Sequence, residues 1–156
     1  MRYVVAAVVV GAVLAAGAAA AFRDAPSAPP HLPLATAAIA TDTGEVVVDV
    51  ELATTGPQRG RGLMHRESLP EDAGMVFVFP EPTSGGFWMK STLIPLDIAF
   101  YDESGRILRI LQMTPCRRDP CPVYAPGVAY RGALEVNAGS FRRWGVEVGD
   151  RIAVRG

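Results

Sequence analysis

Asp97 sits between Leu96 and Ile98, and Glu135 between Leu134 and Val136, so each acid interrupts an apolar run of this 156-residue chain. In an extended segment successive side chains alternate in direction, and each acid then faces away from its apolar neighbours. On a solvated sheet face such an acid needs no partner. Buried, it needs a cation or several donors, because an unpaired buried charge costs several kcal/mol. Lys90, Arg61 and Arg66 are the available cations, and an Asp97–Lys90 or Asp97–Arg66 ion pair is the structural arrangement the sequence favours. Two carboxyls flanking a ligand would instead support hydrolase-like acid/base work, at a separation of about 5–10 Å. Trp88 stands two residues before Lys90 and follows Ser84-Gly85-Gly86, a ring-and-cation combination that suits binding as well as packing. Arg66, Trp88, Lys90, Asp97 and Glu135 are therefore the candidate ligand-binding residues, and the catalytic residues of any reaction are left unassigned.

The sulfur-bearing residues point elsewhere. Cys116 and Cys121 are the only cysteines, with four residues between them in PCRRDPCPVY. Outside a reducing compartment so close a pair is most simply a disulfide that pins a Pro-rich excursion. A redox pair would usually hold two intervening residues, and a zinc site would need two more ligands when His31 and His65 are the only histidines. Met64, Met75 and Met89 could hold a soft metal, but packing into irregular core gaps is the ordinary use of Met. No Ser-His-Asp order, phosphate loop or metal-ligand spacing is present, so no cofactor and no metal are expected.

These residues must be positioned by a short, β-rich chain. Val46, Val48, Val50 and Leu52 alternate with acids in Thr43–Ala53, the pattern of a half-buried strand, and Thr36–Thr41 precedes it across an Asp42-Thr43-Gly44 turn. Thr55 and Pro57 predict the start of a short helix running to about His65, weakened by Gly60 and Gly62. Further strands are predicted at Met75–Phe79, stopped by Pro80, and at Phe87–Lys90. Leu96–Tyr101 and Arg106–Met113 form another pair around an Asp102–Gly105 loop, and Arg131–Val136 and Arg151–Arg155 complete the set. Ser140–Trp144 predicts a helical turn or two, ended by Gly145. Seven or eight short strands with two short helices predict a mostly β (β-rich α+β) fold, a rolled antiparallel sheet or small barrel.

The front of the chain has another character. Met1-Arg2-Tyr3 and the uncharged run Val4–Phe22, with Ala19 and Ala21 fitting a cleavage site, predict a signal peptide over 1–22 or, if uncleaved, a membrane anchor. Residues 23–36 are dense in Pro and Ala and predict an extended linker, leaving 37–156 as the folded domain. Either leader reading sends the domain out of the cytoplasm, periplasmic or anchored on the far side, with the membrane touched only through the leader. The formal charge is −1 for the whole chain, and no basic stripe is seen, which argues against a nucleic-acid partner.

Four stretches make the chain resemble the family called domain of unknown function 192. They are RGLMHRESLPEDAGMVFVFP, FWMKSTLIPLDIAFYDESGRI, the PC and CPVY pair, and ALEVNAGSFRRWGVEVGDRI, together reaching from about Val46 to Ile152. The resemblance implies a compact β-rich fold, frequent export and no established activity. It singles out Arg61, Gly62, Met64, Arg66, Met75, Phe77, Trp88, Met89, Lys90, Leu96, Asp97 and Glu135. After WMK the family usually carries Asn, where this chain has Ser91.

The sequence thus predicts an exported, non-enzymatic domain that binds a small molecule or an envelope component. The competing readings are the hydrolase built on Asp97 and Glu135, and a purely structural role in which all these positions specify the sheet.

Overall fold

The computed structural model describes residues 32–156. The predicted leader and most of the predicted linker lie outside the described residues. The folded part begins earlier than the linker boundary at 36, because strand β1 (Leu34–Thr41) already takes up Leu34, Ala35 and Thr36. It pairs antiparallel with β2 (Gly44–Ala53) around the expected turn, and Val48 and Val50 of the alternating run are buried.

Helix α1 (Gly56–Arg61) starts as the sequence foresees. Thr55 accepts a hydrogen bond from the Gln58 backbone N–H at 3.4 Å, and the Gln58 side chain accepts one from the Thr55 N–H at 2.9 Å. This reciprocal capping box satisfies two donors that a helix start leaves orphaned. The helix stops at Arg61 rather than near His65, because Gly62 turns the chain at a φ of 48° and closes its N–H onto Gln58. A side chain in that left-handed region costs about 1–2 kcal/mol, which glycine avoids.

The chain then returns as β3 (Ala73–Thr83) and lies parallel to β2, in register from Asp49 with Ala73 to Ala53 with Phe77. Parallel neighbours need a crossover of a dozen residues or more, and the α1 segment supplies it. The sheet is therefore mixed, which corrects the purely antiparallel expectation. Nor does Pro80 stop β3. The strand continues through Pro80 and Pro82 because its ladder with β8 (Tyr130–Asn137) breaks between Val78 and Thr83, where no N–H is required. Strands β4 (Phe87–Trp88) and β7 (Val123–Tyr124) form a separate two-stranded ribbon, and β7, at two residues, is too short to carry an alternation signal.

With β5 (Leu96–Tyr101), β6 (Ile107–Met113) and β9 (Arg151–Arg155), the main sheet runs β6-β5-β8-β3-β2-β1-β9. Its two edge strands approach each other at one end only. Arg106 bridges Arg151, and the Ile152 N–H donates to the Gly105 carbonyl at 2.8 Å. The result is a rolled sheet with a short seam, not a closed barrel.

Every residue of β5 is buried, so both faces of the central strands are covered. Alternation sorts them into two apolar clusters. Val76, Ala99, Leu134 and Val136 pack on one face with Phe141 of helix α2 (Ser140–Trp144). Met75, Phe77, Ile98, Phe100 and Ala133 pack on the other, with Met89 and Tyr130. Met75 and Met89 are thus core residues. Cys116 and Cys121 are joined as a disulfide, whose short loop is worth about 2 kcal/mol of unfolded-state entropy.

Candidate functional site

The five candidate residues do not converge. Asp97 pairs with Val136 across β5 and β8, and Ile98 pairs with Glu135. Directly opposed residues share a face, so Asp97 and Glu135 point to opposite sides of the sheet. They cannot flank one substrate, and the paired-carboxylate arrangement is absent. Asp97 instead takes a hydrogen bond from the Gly139 N–H at 2.8 Å, just before α2. Burial raises its pKa, opposed by the Gly139 and Phe141 backbone and by Arg142 and Arg143.

Neither expected partner reaches Asp97. Arg66 is bonded to Glu51 at 2.7 Å and lines a separate depression beside β1 and β2. Lys90 is paired with Asp119 at 2.9 Å and lies 5.8 Å from the centre of the Trp88 ring. Both ion pairs are partly exposed, a setting in which such pairs contribute about 0–1 kcal/mol. Asp119 belongs to the disulfide loop, so this pair ties that loop to the segment after β4.

Trp88 and Glu135 do share a cavity. It measures about 250 Å³ and lies between the C-terminal end of α1, the β4 segment and the aromatic face of the sheet. Leu63, Phe77, Phe79, Phe87 and Tyr130 supply apolar wall, and Arg59 and Arg61 supply positive charge. Arg59 is committed to the scaffold. Its guanidinium donates to the carbonyls of Thr54 and Val78 at 2.6 and 2.9 Å and lies over the Phe79 ring at 4.9 Å. The Arg61 side chain makes no hydrogen bond or ion pair among the described residues, although its carbonyl accepts from the Met64 N–H at 3.2 Å. Six of the positions singled out by the family resemblance line this one cavity: Arg61, Gly62, Met64, Phe77, Trp88 and Glu135.

Glu135 is its chemical centre. The residue is 4% exposed, and burial pushes its pKa up to about 8, with no hydrogen bond or neighbouring charge to oppose the shift. At neutral pH its carboxyl is mostly protonated and can donate as well as accept. Four polar or charged residues of the described chain are buried: Thr92, Asp97, Glu135 and Ser140. Asp97 bonds to Gly139, and the Ser140 hydroxyl accepts from Arg143 at 2.9 Å. The other two, Thr92 and Glu135, have no side-chain partner in the described protein, and both line the cavity. No side-chain oxygen there is sealed off and unsatisfied, so their oxygens open onto the cavity space.

Thr92 and Tyr130 were not foreseen as site residues. Tyr130 donates from its hydroxyl to the Gly85 carbonyl at 2.8 Å, which holds the glycine segment at the cavity edge. Backbone strain marks the same neighbourhood. His65 and Ser91 are the non-glycine residues with positive φ in the described chain, at 63° and 56°, and the His65 N–H donates to the Ser91 carbonyl at 2.8 Å. They flank cavity residues Met64 and Thr92. Asn is several-fold enriched at positive φ, which suits the Asn that the family resemblance places after WMK. Ser91→Asn is accordingly expected to stabilise the domain by about 0.5 kcal/mol, and Ser91→Val to destabilise it by about 1–2 kcal/mol, read from melting temperatures.

Known proteins agree with this picture of the fold. A protein from Sinorhizobium meliloti 1021, provisionally described as a transcription regulator, has a crystal structure that matches with a TM-score of 0.76 at 32% identity. The match covers 81% of this chain and 98% of that one. A protein of unknown function from Novosphingobium aromaticivorans matches with a TM-score of 0.74 at 30% identity, over 92% and 99% of the two chains. No curated protein matches the sequence. The family model DUF192, described as Uncharacterized ACR, matches residues 38–154, and the chain belongs to that family.

Proposed function

We propose that this domain binds a small molecule in the cavity between α1, β4 and the aromatic sheet face, and that it does so outside the cytoplasm. One observation carries the binding reading: the two buried polar side chains without a protein partner, Thr92 and Glu135, both face the same cavity. Sealed off without a partner, such a group would cost about 1–3 kcal/mol, so each depends on what fills the cavity. A fold that needed these positions only for packing would gain by replacing them with apolar residues. A ligand or ordered water recovers that cost, and the aromatic wall supplies the apolar contact typical of small-molecule sites. This site is narrower than the five-residue set, since it keeps Trp88 and Glu135, has Lys90 beside the Trp88 ring, and leaves out Arg66 and Asp97.

A thermal-shift screen of small metabolites tests it. Compounds that raise the melting temperature of the native chain by several degrees are expected to lose most of that effect in Thr92→Val. Hits that stabilise Thr92→Val and the native chain equally would remove the cavity from the account.

Support for the export reading comes from the charged-then-apolar leader at 1–22 and from the Cys116–Cys121 pair, which persists only where thiols are not kept reduced. Alkylation of protein recovered under native conditions from its own compartment is expected to leave both sulfurs unlabelled until a reductant is added. Two reactive thiols at that step would refute export to an oxidising compartment. The relative described as a regulator lends no nucleic-acid reading here, because the chain carries 15 Lys and Arg against 16 Asp and Glu.

A further inference from the structure

We infer that the cavity takes a small anionic molecule with a flat apolar body, its anionic group held by Arg61 at the mouth and a hydrogen-bonding group held by Glu135 and Thr92 at the inner end. This rests on the ligand reading of the same cavity and adds the chemical class of the occupant.

Three observations set that class. The first is charge. Glu135 is the one acidic residue among the lining residues, against Arg59 and Arg61. With the Glu135 carboxyl protonated near neutral pH, the lining carries a net positive charge, which favours an anion and opposes a second cation. Arg59 spends its Nη1 donors on the Thr54 and Val78 carbonyls and is held in place by them, whereas exposed Arg61 has its whole planar fork of donors unengaged by any described residue. That fork matches a carboxylate or phosphate in two-point geometry.

The second observation is the distribution of polar groups. Thr92 and Glu135 are the buried polar positions, while Arg61 is exposed. A ligand that satisfies both ends must therefore be polar at two ends and apolar between them. Its inner group can be a hydroxyl, a carbonyl or an amide, because a protonated carboxyl and a hydroxyl each donate and accept.

The third is shape and size. The Phe79 and Tyr130 rings stand edge to face at 5.4 Å in the wall, and Trp88 is 52% exposed at the rim. Flat rings pack well against such a surface. A volume of about 250 Å³ holds about eight water-sized groups at roughly 30 Å³ each, the size of a single-ring molecule whose bonded atoms pack closer than separate waters.

Calorimetric titration of the full chain with four probes tests the inference: 4-hydroxybenzoate, 4-hydroxybenzamide, 4-hydroxybenzylamine and benzoate. The anion is expected to bind about tenfold more tightly than the neutral amide, and the cationic amine most weakly. Benzoate, which lacks the inner hydroxyl, should bind about fivefold more weakly than 4-hydroxybenzoate, and Thr92→Val should remove that difference. Arg61→Gln, at an exposed position, should bring the anion and the amide to equal affinity. Equal binding of all three charge types, tighter binding of the amine, or indifference of the anion to Arg61→Gln would overturn the anionic class. In those cases the cavity itself survives if Thr92→Val still weakens the probes that carry the 4-hydroxyl. No binding by any of the four overturns the inference, while the broader ligand reading is decided separately by the metabolite screen.

Discussion

Glu135→Gln is expected to flatten the pH dependence of stability between pH 4.5 and 8. In the native chain the Glu135 pKa is about 8, against 4.5 for the same group in solvent. The folded state therefore holds a proton that the unfolded state releases. Stability falls wherever the folded state binds more protons, so the contribution of Glu135 is greatest below pH 4.5, weakens as pH rises, and levels off above 8. From pH 4.5 to 7 the loss is about 3 kcal/mol, at about 1.4 kcal/mol per pH unit. That corresponds to a melting temperature lower by about 10 °C for a domain of this size. Gln keeps the shape and a hydrogen-bonding end but has no proton to lose, so the variant should gain on the native chain as pH rises. Asp97 adds a smaller slope of the same sign, since its pKa is also raised by burial. Asp102, lowered chiefly by the hydrogen bond it accepts from Ser104, acts with the opposite sign only below its ordinary value of 3.8, outside this range. Calorimetric melting of both proteins across this range measures the difference. Parallel curves would mean that Glu135 ionises as if it stood in water.

Gly105→Ala is expected to open the roll, at a loss of about 3 kcal/mol or more. Gly105 lies in the loop between β5 and β6 at a φ of 80°, and a Cβ there would fall on the carbonyl oxygen of Ile152. The left-handed conformation alone costs an alanine about 1–2 kcal/mol. The contact adds more, because a backbone carbonyl cannot rotate aside as a side chain can. The Ile152 N–H donates to the Gly105 carbonyl, so the clash acts on the seam where β6 and β9 meet. Gly127→Ala is the matched control. Gly127 has a φ of 76°, but its added Cβ would meet nothing within 4 Å, so only the conformational cost applies. Urea unfolding midpoints separate the two effects. Equal losses would mean that the seam contributes nothing to the stability of the sheet.

Much of the local structure was legible because local chemistry decides it. The alternation of Val46, Val48, Val50 and Leu52 marked β2, and Thr55 with Pro57 marked the start of α1. What escaped was decided by pairing at a distance. Nothing in the run after Ala53 says that β3 returns parallel to β2, because that depends on where the α1 crossover lands. Pro80 looked like a strand end since a proline cannot donate, but a ladder interruption removes the demand for a donor.

The site was legible in the same uneven way. Glu135 and Asp97 look alike in sequence, each an acid within an apolar strand. Their separation onto opposite faces follows from a register that pairs Glu135 with Ile98 rather than with Asp97. A shift of one residue would have put them together. Thr92 gave no signal, being one short polar residue after another, and only its burial without a partner marks it. Arg61 was noted as a cation for a buried acid, yet it stands at the mouth of a cavity. The resemblance to the family gathered six of the cavity positions without separating them from core residues such as Met75 and Met89. Three-dimensional placement makes that separation.

Carbon-detected NMR of the Glu135 carboxyl, followed through a pH titration with and without 4-hydroxybenzoate, bears most directly on the central claim. A midpoint near 8 in the free protein, moved saturably as the probe fills the cavity, is the expected result. A midpoint near 4.5 that the probe leaves untouched would contradict it.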